Sequence, residues 1–213
     1  KQEIETAKII QKHNPDSIIT MSHLIGRVGF IERENAGHNN GSMSETNWLE
    51  SQPEVRTIVE QHLSAYVFGV LAIDETKHYL QHTSSWVNKH VPGDLGAGHS
   101  HSNAMFSGVL YFKVPQNSGA IIFHLPAMFP TFCTQTLYPE VREYNEYNMR
   151  EATINPVDGM ILCFPSHLPH SINENLSNED RYSMAFNYIL RGEYGERFSD
   201  ISTTSFYGSH IIT

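Results

Sequence analysis

The chain has 213 residues, 39% of them hydrophobic, enough for one domain with a sizeable core. Its formal charge of −9 leaves no basic stripe to neutralise a phosphate backbone, which excludes duplex nucleic acid as the main partner. No apolar run approaches the roughly 20 residues of a membrane span, and Lys1-Gln2-Glu3 opens no signal sequence, so a soluble, cytoplasmic protein without a membrane partner is expected.

The first eighty or so residues are the least regular. Ile4 to His13 has helical spacing, and Pro53 to Tyr66 is predicted as a helix with Pro53 in its first turn and Val55, Ile58, Val59 and Leu63 on one face. Between them Ala36 to Ser44, rich in Gly, Asn and Ser, is expected to be a loop. From about Thr83 short β-rich runs alternate with Gly, Pro and Asn clusters. The predicted strands are Ser84–Lys89, His99–Asn103, Ser107–Val114, Ala120–Leu125, Arg150–Ile154, Met160–Phe164, His170–Asn175 and Arg181–Leu190. Short strands in that number predict a double-sheet jelly roll. The expected organisation is a single domain over 1–213: an N-terminal helical and irregular decoration over 1–82, a β core over 83–190, and a C-terminal extension over 191–213 that has no clear period. The two cysteines, Cys133 and Cys163, support no disulfide framework, and Cys163 sits in an apolar run as a free buried thiol.

Two clusters among the thirteen histidines carry chemistry. Residues two apart on a strand face the same way, so His99, His101 and Asn103 are expected to share a face, and two imidazoles presented together are half of a metal site. The plain alternative is a polar strand edge whose histidines bond to water and backbone. The second cluster is His170, followed eleven residues later by Arg181-Tyr182-Ser183. On the last strand Arg181, Ser183, Ala185 and Asn187 alternate with Tyr182, Met184, Phe186 and Tyr188. If the polar side faces solvent this is an ordinary surface strand. If it faces into a barrel, Arg181 and Ser183 form a carboxylate receptor, because the rigid guanidinium fork matches a carboxylate with two parallel hydrogen bonds.

Trp86-Val87-Asn88, His99-Ser100-His101-Ser102-Asn103, Ser107 to Phe112, and Phe164 to His170, in this order and with Arg181-Tyr182-Ser183 after them, resemble a 2-oxoglutarate and iron(II)-dependent oxygenase family of bacteria and tailed phages. The resemblance spans about Ser84 to Asn187 and implies a double-stranded β-helix, a fold of the jelly-roll, cupin-like type. It also implies iron(II) and 2-oxoglutarate as cofactors, O₂ as co-substrate, and hydroxylation of an unknown small-molecule or protein substrate, with succinate and CO₂ as co-products. Carried over residue by residue, His99, His101 and His170 are the expected metal ligands. Arg181 and Ser183 are the expected binders of the distal carboxylate, with Tyr111 and Asn88 as further candidates. Tyr111 reads equally well as core, and Asn88 as a residue that satisfies a loop.

The chain departs from the family where His101 stands in place of the usual carboxylate ligand. A shifted register, with His101 and Asn103 as the pair, remains open. So do two other functions: a three-histidine cupin-type dioxygenase that uses no 2-oxoglutarate, and a non-catalytic barrel that serves as an interaction module. His124 and His167 are expected to be structural or cavity-edge residues.

Overall fold

The structure, a computed structural model, describes residues 30–31, 42–44, 47–124, 140, 142–143, 151–194 and 201–202. Among the described residues it contains strands β1 (Phe30–Ile31), β2 (Ser42–Ser44), β3 (His78–His90), β4 (Gly96–His99), β5 (Phe106–Lys113), β6 (Ile121–His124), β7 (Glu151–Ile154), β8 (Ile161–Pro165), β9 (His170–Ile172), β10 (Arg181–Tyr194) and β11 (Ile201–Ser202), with one α-helix, α1 (Pro53–Ser64). The major sheet runs β1-β2-β3-β10-β5-β8, with β11 paired to the end of β10, and the minor sheet runs β4-β9-β6-β7; all pairings are antiparallel. This is the double-stranded β-helix. Among the described residues no helix is long and apolar enough to cross a membrane.

α1 forms where the sequence predicts it. Pro53 at its first position already has the helical φ and loses no hydrogen bond there. Val55, Val59 and Leu63, four residues apart, make one buried stripe, and the side chains of Val59 and Leu63 are wholly enclosed. Each such burial is worth about 1.5–3 kcal/mol. The helix stops two residues short of the predicted Tyr66 and continues as a wider π-helical turn over Ala65–Val70. The stripe packs against one face of the major sheet, made of Val87, Leu110, Ile161, Met184 and Phe186. Leu49, in the short helical turn before α1, donates its backbone N–H to Ser85 Oγ at 2.8 Å and ties that segment to the same face. Gly108 is required here: a Cβ would come within 2.2 Å of Phe186 Cζ and 2.4 Å of the Leu162 carbonyl oxygen.

The other face of the major sheet looks toward the minor sheet. Cross-strand pairing lays out its rows: Arg181 opposite His90; Ser183 between Asn88 and Tyr111; Ala185 between Trp86 and Val109; Asn187 between Ser84 and Ser107. The polar side of β10 therefore points into the barrel, the alternative that the sequence left open. Val109, Tyr111, Ile121, Phe123, Leu162 and Phe164 close most of the interior between the sheets.

Three sequence expectations need correction, and one segment without a predicted element gains one. The predicted strand His99–Asn103 is displaced: β4 ends at His99, and His101 and Asn103 lie in the loop beyond it. Within the predicted loop Ala36–Ser44, Ser42–Ser44 is a strand that pairs with β3, an edge contact that local composition does not encode. β3 and β10 both outrun their predicted ends because they pair with each other along nearly their whole length, from Arg181↔His90 to Gly192↔His78. The tail left without a period forms a short antiparallel pair, Glu193↔Ser202 and Tyr194↔Ile201. The predicted helix Ile4–His13 and Cys133 fall outside the described residues. Cys163 is a free cysteine, and burial pushes its thiol pKa up to about 12.

Candidate metal centre

His99 closes β4 and His170 opens β9, and the two are direct partners across the minor sheet. His101 reaches them from the loop, where its backbone N–H donates to the Ser166 carbonyl at 2.8 Å. Strand parity therefore does not bring the first pair together; a loop anchor does. The ring centroids are 4.4 Å apart for His99–His170, 5.2 Å for His99–His101 and 5.3 Å for His101–His170. One ligand atom from each lies within 4.8 Å of the others, close enough for all three to serve one ion.

The hydrogen bonds set the tautomers. His99 Nδ1 lies 2.8 Å from the Ala97 carbonyl, His170 Nδ1 2.9 Å from the Leu168 carbonyl, and His101 Nδ1 2.8 Å from Asn187 Oδ1. Each contact is to an oxygen acceptor, so each Nδ1 carries the proton and each Nε2 keeps its lone pair for a metal. Asn187 is fixed in turn: its Oδ1 also accepts from Ser107 Oγ at 2.7 Å, and its Nδ2 donates to Ser84 Oγ at 3.0 Å. Trp86 stacks on His101 at 6.1 Å, while Phe123 and Phe164 flank His170 at 5.9 and 5.0 Å. Burial pushes the His170 pKa down to about 4 and also lowers that of His101, so both are neutral at physiological pH, as coordination requires.

Burial of neutral imidazoles predicts acid lability. His170 and His90 fall from 6.5 to about 4 and about 3 on folding, chiefly by burial. Between those values and 6.5 the unfolded chain binds protons that the folded chain does not, so stability is complete above pH 6.5 and declines as pH falls through that window. By pH 5 each should have lost on the order of 2 kcal/mol. Urea unfolding of metal-free protein should show a clearly lower midpoint at pH 5 than at pH 7.5; an unchanged midpoint would contradict this burial.

A cavity of about 300 Å³ opens beside the three histidines, lined also by Trp86, Asn88, His90, Ile121, Phe164 and Ser183. Asn88 accepts a hydrogen bond from the Trp86 indole N–H at 3.0 Å, which orients its amide N–H₂ away from that contact. Tyr111 is buried on the next strand, and burial pushes its hydroxyl up to about 12, so it retains its proton. Asn103 is exposed and does not line the cavity, and the shifted His101/Asn103 register gains no support. His167 is also exposed. His124 sits between Glu151 Oε1 and Ser171 Oγ, each at 2.9 Å, and is no part of the cavity wall.

Arg181 is 1% exposed, and among the described residues no carboxylate pairs with it. Nη1 donates to the Ser118 and Gly119 carbonyls, both at 3.1 Å, and Nη2 lies 3.3 Å from His90 Nδ1. The two carbonyls are aimed by a turn that only glycine suits: Gly119 has φ +95°, and a Cβ there would meet the Asn173 carbonyl oxygen at 2.2 Å. Nε and the neighbouring Ser118 Oγ are buried without any partner among the described residues. A guanidinium has five N–H donors, so about two remain, the number a carboxylate takes up. Leaving a buried cation and a buried hydroxyl unsatisfied is costly, and an anionic ligand would remove that cost. Sequence reasoning missed His90, Asn187 and the Ser118–Gly119 turn; only the alternation on β10 hinted at Asn187.

A double-stranded β-helix that gathers neutral imidazoles at one end of an interior cavity, with a buried cation deeper in, is the framework of a mononuclear metal enzyme. Residues 84–187 match the sequence profile of the family described as "Putative 2OG-Fe(II) oxygenase". Over that segment, just under half of the chain, the sequence is similar to the 2-oxoglutarate and iron(II)-dependent oxygenases, and iron(II) and 2-oxoglutarate are the cofactors this match supports. Its fold is similar to that of a 2OG-Fe(II) oxygenase-family oxidoreductase from Burkholderia pseudomallei, with 10% identity and a TM-score of 0.55 over 87% of this chain and 89% of that one. It is also similar to the non-heme alpha ketoglutarate dependent carbocyclase SnoK from nogalamycin biosynthesis, with 13% identity and a TM-score of 0.52 over 90% of this chain and 78% of that one. The epimerase SnoN, solved with Fe3+, alpha ketoglutarate and nogalamycin RO, gives 12% identity and a TM-score of 0.51 over 90% and 76%. No curated protein sequence matches the chain.

Proposed function

We propose that the protein is a non-haem iron(II), 2-oxoglutarate-dependent dioxygenase that hydroxylates a C–H bond of its substrate and releases succinate and CO₂. The reading assigns the metal to Nε2 of His99, His101 and His170. It assigns the distal carboxylate of 2-oxoglutarate to Arg181, assisted by Ser183 and Tyr111, with Asn88 on the wall nearer the metal. The bound cofactor pair supplies the electrons for O₂ activation through oxidative decarboxylation of the keto acid. The chain's own part is to hold three neutral imidazoles in one orientation, to present the co-substrate in one pose, and to keep water out with Trp86, Phe164 and Ile121.

The three-imidazole set, with no carboxylate, also suits a cupin-type dioxygenase that draws its electrons from the substrate. The observation that favours 2-oxoglutarate is the buried Arg181 with Nε unpartnered on the face that looks into the barrel, since a substrate-reducing site has no need of a cation there. Anaerobic titration with iron(II) should produce the weak visible charge-transfer band of a keto-acid complex only when 2-oxoglutarate is added. Tight iron binding with no spectral or affinity response to 2-oxoglutarate would favour the cupin-type reading, and no metal binding at all the non-catalytic one.

A further inference from the structure

We infer that His90 is a second donor for the distal carboxylate of the co-substrate, carrying the influence of the Arg181 charge to the cavity surface. This inference rests on the proposed use of 2-oxoglutarate and adds a residue to it. Arg181 is not itself among the residues that line the cavity, whereas His90, its direct cross-strand partner, is. The guanidinium Nη2 stands 3.3 Å from His90 Nδ1, and because an arginine can only donate, Nδ1 must be the acceptor and the ring proton must reside on Nε2. Nε2 takes no hydrogen bond from any described residue, so its N–H is available to a ligand.

The ring is held in place as well as oriented. His90 ends the long β3–β10 ladder, and its carbonyl accepts from Asn175 Nδ2 at 3.0 Å. Burial and the adjacent guanidinium push its pKa down to about 3, so it serves as a neutral donor and adds no second positive charge. Hydrogen bonds in series polarise one another, so an imidazole that accepts from a cation at Nδ1 is a stronger donor at Nε2. A carboxylate would thus meet the free donors of Arg181 and the His90 N–H together, and a keto acid lacking that carboxylate would leave both unpaired.

The test is a comparison of two ligands on iron(II)-loaded protein under anaerobic conditions, read as equilibrium binding: 2-oxoglutarate, and 2-oxopentanoate, which has the same carbon chain without the distal carboxylate. His90→Phe should weaken 2-oxoglutarate by about 10- to 100-fold, the loss of one charge-assisted hydrogen bond, and leave 2-oxopentanoate nearly unchanged. His90→Gln, which keeps an acceptor for Arg181 and an N–H for the ligand, should recover much of the difference. Should His90→Phe fail to fold, His90→Met gives the same comparison without an N–H. Equal weakening of both acids would assign His90 a structural role only and overturn the inference, as would wild-type 2-oxoglutarate affinity in the phenylalanine or methionine variant. Arg181→Ala and wild-type protein run in parallel separate the failures: if Arg181→Ala loses 2-oxoglutarate while the His90 variants do not, only the His90 assignment falls, and if the wild-type protein itself binds no 2-oxoglutarate, the use of 2-oxoglutarate is refuted.

Discussion

Replacing Arg181 by alanine should eliminate measurable 2-oxoglutarate binding while leaving metal affinity at the wild-type level. The guanidinium contacts none of the three histidines; its bonds go to the Ser118 and Gly119 carbonyls and to His90, so the metal site loses no contact. What is lost is the sole cation at the floor of the barrel among the described residues, in surroundings where water cannot substitute for it. Truncating one partner of a buried charge pair costs about 2–5 kcal/mol, or roughly 30- to several thousand-fold in affinity. Folding should survive, because the free protein already bears the cost of an uncompensated buried charge, which burial expresses by lowering the guanidinium pKa. Arg181→Lys should rescue binding only in part, since an ammonium cannot offer two parallel donors while also holding the Ser118–Gly119 turn. Calorimetry with metal-loaded protein decides it: unchanged 2-oxoglutarate affinity in Arg181→Ala would remove Arg181 as the anchor of the distal carboxylate.

The second large effect is expected at His101, which occupies the place a carboxylate takes in the two-histidine, one-carboxylate facial triad. His101→Ala removes a ligand outright, and metal affinity should drop by more than the 10- to 100-fold typical of losing a mere outer-shell partner. His101→Asp should instead retain iron, because two imidazoles and a carboxylate form the usual iron(II) triad, and should raise the preference for iron over softer competitors such as zinc. Asn187 can accommodate either side chain: its oxygen accepts from the histidine, and the same amide, turned over, would donate to an aspartate. Metal content after dialysis against mixed iron and zinc, together with succinate formed without added substrate, can be measured for both variants without knowing the substrate. The measurements belong at one fixed pH, because protonation of imidazole competes with the metal. Wild-type metal affinity in both variants would exclude His101 as a ligand.

The β-rich succession of short strands, the α1 stripe and the candidate site residues were legible in the sequence because their signals are local. Val55, Val59 and Leu63 repeat at the helical period, and Arg181 to Asn187 alternate at the strand period, whatever those segments pack against. The order of His99, His101, His170 and Arg181 carried the resemblance to the oxygenase family without any coordinates. Alternation sorts side chains into two faces but cannot say which face is inside; the pairing of β10 between β3 and β5 decided that, and it put Ser183 in the cavity wall and Arg181 in the buried interior beside it. The same long-range pairing placed His90 against Arg181, 91 positions away, and Asn187 against His101, 86 positions away. No local period marks His90 among thirteen histidines, since its role comes from the partner it faces across the sheet. His101 is the reverse case: strand parity grouped it with His99, but a loop hydrogen bond to Ser166 is what brings it beside His99 and His170. Local sequence thus determined which groups are present and in what order, and tertiary structure decided which of them meet, because hydrogen bonds and burial act between residues that only the closed barrel brings together.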